Sequence, residues 1–190
     1  MATHHLSDRP TDAFGLLEAC GAGAIPHPGG MLLDHLQRTA QLLNEWDASE
    51  EVVLAGLCHA VYGTDGFDHP LVDLSCRADV AGVVGPDAEA VVYRYASCDR
   101  RFTFPHLGRD PVKFRDRFTG EVDAVEPTQL QEFMELTFAN ELDVVRHSPG
   151  FATGEWPLIA RVFSRCRDLV SGAAWAGYLG TRRTEGLADG

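Results

Sequence analysis

The chain has little lysine, no paired cysteines and no long apolar run, and each lack excludes something. Lys113 is the only one of its 16 basic residues that is not arginine, a usage that, with abundant Ala, Gly, Val and Leu, points to a GC-rich genome more than to chemistry. Cys20, Cys58, Cys76, Cys98 and Cys166 are odd in number and widely spaced. Without a C-x-x-C pair there is neither a zinc knuckle nor a disulfide framework, and buried free thiols in a reducing compartment are expected. No apolar stretch approaches the ~20 residues needed to cross a bilayer. The opening MATHHLSDRPTD lacks the apolar core of a secretory signal, so a cytoplasmic location is expected. Basic charge is short as well: 28 acidic residues against 16 basic leave a net charge of −12. That excludes a basic face for nucleic acid or for anionic membranes. A small anionic ligand stays compatible, because a local arginine cluster can outvote the global field. G-x-S-x-G, P-loop and H-E-x-x-H motifs are all missing, so their mechanisms have no anchor here.

What is present is helical periodicity. The 190 residues suffice for one domain with a sizeable core, expected over 11–180 with flexible tails at 1–10 and 181–190. Thr11 and Asp12 can cap a helix over 13–20, stopped by Gly21 and Gly23. IPHPGG reads as a loop. Leu32, His35, Leu36, Thr39, Leu43 and Trp46 recur every three or four residues, one face of a helix over 31–46. Asp47 or Ser49 caps the next, which ends near His59. Helices are expected over 71–84 and 87–97, the latter opened by Pro86. KFRDRFTGEVDAV predicts a hairpin over 112–125 around Thr119-Gly120. A long helix over 128–147, a loop at SPGFATGEWP and a last helix over 157–179 complete an all-α chain with one small β insertion.

Two histidines stand out. His35 lies on an apolar stripe, and His59, 24 residues later, ends the following helix in LAGLCHAVYGTDGF. A single histidine on an apolar face is commonly a satisfied core residue. Two on consecutive antiparallel helices can aim their imidazoles at one metal ion, a frequent role of neutral imidazole.

DHLQRTAQLLNEWDASEEVVLAGLCHAVYGTD resembles the first two metal-bearing helices of the HD-domain superfamily, nearest the hydrolase domain of the (p)ppGpp synthetase/hydrolases. LAGLCHAVYGTD is similar to that family's A-A-L-L-H-D-x-x-E-D-T pattern, with His59 in the histidine place. FMELTFANELDVV looks like its late helix, with Asn140 where L-A-D-x-L carries the last metal aspartate. The H-A-x-Y-G-T form also resembles an uncharacterised bacterial HD-like family. The resemblance implies an HD-like helical bundle with a metal at His35 and His59. The departures are as informative: Ala60 replaces the aspartate after the histidine, and Gly63 and Thr64 replace the acidic pair that would prepare a water for attack on phosphorus. Ordinary phosphohydrolysis is therefore not expected.

Other residues can rebuild such a site. His27 and Asn140 are ligand-binding candidates, and so are Arg100 and Arg115, which lie among phenylalanines that can stack a ring while guanidinium clamps an anion. Asp65, Tyr62 and Glu141 are the candidate catalytic groups; Asp34, Asp68, Asp99 and Asp143 are further acids within reach in sequence. Two histidines and an acid would suit iron, manganese or zinc. Three outcomes are open: a metalloenzyme with an altered site acting on a small anionic substrate, an inactive HD-like protein binding a nucleotide or carboxylate, or a structural or partner-binding helical protein. The sequence leaves the oligomeric state open.

Overall fold

The computed structural model describes residues 8–185, which form ten α-helices and two short hairpins. Residues 1–7 and 186–190 of the expected tails thus lie outside the described residues; of the rest, Arg9 and Pro10 belong to the first helix, α1 (Arg9–Ala19), and 181–184 to the last, with Thr181 buried. α1 leads to a hairpin of β1 (Pro26–His27) and β2 (Gly30–Met31), then to α2 (Leu32–Glu45) and α3 (Glu50–Cys58). α4 (Arg77–Val84), α5 (Pro86–Ser97) and the short α6 (Arg100–Thr103) follow. β3 (Lys113–Arg115) and β4 (Val122–Ala124) make the second hairpin, ahead of α7 (Pro127–His147), α8 (Pro149–Gly154), α9 (Trp156–Phe163) and α10 (Gly172–Thr184). No described helix is long and apolar enough to cross a membrane.

α2, α3 and α7 pack against one another and carry the site, with α5 against both α3 and α7. The predicted stripe of α2 is buried along its length, from Leu32 to the capping Trp46. Ser49, not Asp47, caps α3 by accepting the Val52 N–H at 3.4 Å. Gly56 lets α2 and α3 approach closely: a Cβ there would overlap Leu43 Cδ1 and lie 3.4 Å from Ala40 Cα. α7 is buried over most of its length. On its far side Phe138 stacks on Phe163 at 3.9 Å, with Trp156 and Tyr178 around the pair. All five cysteines are free, and Cys58, Cys98 and Cys166 are buried.

The 112–125 hairpin forms where the alternation places it, with Lys113 opposite Ala124 and Arg115 opposite Val122. Elsewhere local chemistry departs from the periodic reading. IPHPGG is a tight hairpin, pairing Pro26 with Met31 and His27 with Gly30. The 71–84 helix begins only at Arg77, because the Asp73 side chain accepts the Ser75 N–H at 2.8 Å and holds a 3-10 turn there. Asp99 caps an unexpected α6 through the Phe102 N–H, and SPGFATGEWP contains α8. The last helix is two, since Val170 is extended and Ser171 caps a new start by accepting the Ala174 N–H at 3.1 Å.

The first hairpin is clasped to the end of α7. Gly29 has φ +86°, and a Cβ on it would sit 2.6 Å from His147 Cβ and 3.0 Å from the His147 carbonyl oxygen. Only glycine fits both the backbone angle and the approach. Gly29→Ala should therefore destabilise the protein by about 2–3 kcal/mol, from overpacking plus left-handed strain. An unchanged midpoint in urea unfolding would show that the hairpin is not clasped there.

Candidate functional site

The site begins with the two Nδ1 atoms. His59 caps α3, and its Nδ1–H donates to the Gly56 carbonyl at 2.8 Å. The Nδ1–H of His35 donates to Asp143 Oδ2 at 2.7 Å. With both protons committed outward, the Nε2 atoms carry lone pairs, and they face each other at 3.3 Å. Asn140 brings a third acceptor. Its Nδ2 donates to Glu141 Oε1 at 3.1 Å, which turns Oδ1 toward His35 Nε2 at 3.0 Å. Three acceptors from α2, the end of α3 and α7 thus converge where buried acceptors would normally meet donors. Only a cation or a shared proton reconciles them.

Charges around the trio are balanced locally. Arg38, one turn after His35, holds Asp143 in a fork, Nε to Oδ1 at 2.7 Å and Nη2 to Oδ2 at 2.9 Å. Burial works against ionisation of Asp143, but the bonds from His35 and Arg38 outweigh it and bring the carboxyl down to about 2. Burial, reinforced by His35, pushes His59 well below the ordinary histidine range and keeps its ring neutral. Glu141 accepts Arg100 Nη1 at 2.6 Å, and Arg100 Nη2 donates to the Tyr95 hydroxyl at 2.6 Å.

His59 and Asn140 lie at the floor of a cavity of about 360 Å³. His27 roofs it, its ring stacked on His35 at 4.1 Å and its Nδ1–H donated to the Pro28 carbonyl. Burial first, then His35, lowers His27 to about 4. The turn after His59 is pinned by mutual backbone bonds between Thr64 and Phe67, both 3.0 Å, and so presents Asp65 to the cavity. Asp65 Oδ2 accepts the backbone N–H of Arg100 at 2.7 Å, which fixes the start of α6.

The sequence candidates therefore divide. His27, His35, His59, Asp65, Arg100, Asn140 and Glu141 assemble at one place. Two candidates do not. Tyr62 points away, its hydroxyl donated to Glu89 Oε1 at 3.0 Å beside Arg77, because the chain turns after His59 and carries the next residues onto the α5 side. Arg115 lies over the Phe102 ring at 3.8 Å and pairs with Asp99 at 3.4 Å, bracing the second hairpin. No acid completes a third ligand: among the described residues no group of three or more His, Cys, Asp or Glu side chains could hold a metal. Asp99 is spent on capping α6, and Asp143 stands behind His35. The sequence reading omitted Arg38 altogether. Its one signal is the three-residue step from His35, which puts both on one helix face.

A family model described as a domain of unknown function, DUF6817, matches residues 16–100. That span includes His27, His35, His59 and Asp65 and stops short of Asn140. No curated protein matches the chain. Among solved structures it is similar to a metazoan ortholog of SpoT, described as hydrolysing ppGpp, with a TM-score of 0.61 and 13% identity over 98% of this chain and 100% of that one. The fold is HD-like. At that identity the likeness speaks for the scaffold alone.

The lowered histidine fixes the sign of a pH response. Between 4 and 6.5 the unfolded chain binds a proton at His27 that the folded chain does not. Stability therefore falls as pH drops through that window and stops changing from this source below 4. Asp143, held at about 2 against an ordinary 3.8, adds a further loss in the same direction at lower pH. In chelator-treated protein, urea midpoints should decrease from pH 6.5 to 4, and His27→Gln should make that slope shallower while the contribution of the likewise lowered His59 persists. An identical slope in the variant would contradict the burial of this ring.

Proposed function

We propose that this HD-like protein holds one divalent ion, iron, manganese or zinc, between His35, His59 and Asn140, and that a small anionic molecule completes its shell. The carrying observation is the meeting of His35 Nε2, His59 Nε2 and Asn140 Oδ1, each of which presents a lone pair when both rings are neutral with their protons on Nδ1. Two nitrogens bound to one ion at about 2.1 Å in a tetrahedral arrangement lie about 3.4 Å apart, and the Nε2 atoms are 3.3 Å apart. The outer partners suit ligation too. A metal-bound histidine ordinarily donates its other N–H to a carboxylate or carbonyl, as His35 does to Asp143 and His59 to Gly56.

The donor set is neutral, which bears on the ligand. Asp143 is matched by Arg38 and Glu141 by Arg100, so neither offsets a divalent charge. An exogenous anion supplies the missing negative charge. When bound, the ion would polarise an oxygen of that ligand as a Lewis acid. The chain's own residues hold and enclose it: Arg100 borders the cavity with its charge secured by Glu141 and Tyr95, Asp65 fixes α6, and His27 closes the roof. The hydrolysis described for the metazoan relative is not carried over. Ala60, Gly63 and Thr64 offer no carboxylate to prepare a water.

A second reading has one observation in its favour. Asp143 at 2.7 Å from His35 would support a proton shared between the imidazoles, leaving a cavity that binds an anion without metal. Elemental analysis of tag-free protein separates the two. About one equivalent of iron, manganese or zinc is expected, lost in His35→Ala and Asn140→Ala and retained more firmly against chelator in Asn140→Asp, which adds a charged donor. Protein that stays metal-free after growth with all three metals, with an unchanged fold by circular dichroism, would leave the shared proton as the explanation.

A further inference from the structure

We infer that the ligand of this cavity is a monoanion with an apolar body, a small monocarboxylate rather than a nucleotide polyphosphate; the inference rests on the metal reading above. The first support is charge. The cavity lining carries Arg100 and Arg101 against Asp65, Glu141 and Glu155. These five side chains sum to one negative charge, and the imidazoles and Asn140 add none. A divalent ion at the floor turns that into one positive charge. A single carboxylate matches it, whereas the several charges of a polyphosphate would face three carboxylates with too little compensation.

The second support is shape and surface. Three half-buried phenylalanines, Phe67, Phe104 and Phe151, line the cavity together with Ile159. They come from four separate elements, the turn after His59, the end of α6, α8 and α9, yet they enclose one space opposite the polar floor. Apolar rings left partly open around a cavity are the usual mark of a small-molecule site. At about 360 Å³ the space lies near the lower end of the range for such sites, roughly 300–1,000 Å³. It suits one ring with a short chain better than a nucleoside carrying phosphates.

The third support is Arg101. Its neighbour Arg100 is bonded to Glu141 and Tyr95. Arg101 lies exposed on the cavity lining, and its side chain has no hydrogen bond or ion pair among the described residues. An unengaged guanidinium there, in a chain with net charge −12, gives the anion a local attraction where the global field repels it. The carboxylate then lies at the floor, the body of the ligand lies along the phenylalanines, and Arg101 steers entry.

Calorimetric titration of metal-loaded, tag-free protein with 3-phenylpropionate, propionate, pyrophosphate and GDP tests this. 3-Phenylpropionate should bind about tenfold or more tightly than each of the others, the gain over propionate coming from burial of the ring. Phe104→Ala should erase the margin over propionate. Arg101→Glu, a substitution at an exposed position that leaves the fold alone, should weaken 3-phenylpropionate several-fold and reduce the salt dependence of its association. Metal content should be unchanged in both variants. Pyrophosphate or GDP binding more tightly than 3-phenylpropionate, or propionate binding equally well, overturns the inference while the metal reading stands. Protein that takes up no metal removes the metal reading, and this inference with it.

Discussion

The Asp143 carboxylate ties the two halves of the site together. It sits buried on α7, and both of its oxygens are held from α2 by Arg38; Oδ2 also accepts from His35, and Oδ1 lies 3.1 Å from His147 Nδ1, one turn along α7. A carboxylate in that position is costly unless paired, and an incomplete pairing would cost several kcal/mol. With the fork in place, the long helix α7 is registered against α2 to within one residue. That register decides where Asn140, three residues earlier on α7, presents its oxygen. The ion pair thus sets the orientation of His35 and the level of Asn140 on α7, while Glu141 turns the amide and the Gly56 carbonyl orients His59.

The same economy governs the other polar groups around the cavity. Ala60 opens onto the cavity with a methyl group, and Asn140 offers an amide oxygen instead of a carboxylate. Two of the three acids lining the cavity are engaged within the protein: Glu141 with Arg100, Asp65 with the start of α6. None faces the meeting point of the imidazoles. Within the protein these two acids fix geometry. The scaffold of the metazoan relative is preserved at 13% identity because packing asks only for helices of the right length with apolar faces, whereas the chemistry asks for particular atoms.

How far the sequence speaks depends on the range of the interaction. The α2 stripe and the histidine ending α3 were legible because a 3.6-residue period writes burial directly into the order of residues. The long α7 and the 112–125 hairpin were legible for similar reasons. The first hairpin was not: strands of two residues have no alternation to read, and its closure depends on Gly29 meeting His147, distant in the chain. The break before α10 was hidden by helix-forming neighbours, with a single capping serine as its sign. Arg38 looked like any exposed arginine, since its partner lies 105 residues away. Tyr62 and Arg115 misled for the opposite reason, being close in sequence to site residues but carried elsewhere by a turn and by a strand.

The separation of floor and wall has a consequence for how such a site can diversify. The floor belongs to α2, α3 and α7, where every side chain is locked to another by a polar bond or close packing. The wall belongs to α6, α8, α9 and a turn, short elements whose phenylalanines are only half-buried. Exchanging a wall residue reshapes the chamber without disturbing the helices beneath. Drift in one part and constancy in the other would let relatives sharing this core accept differently shaped guests, each seated on the same unaltered pedestal.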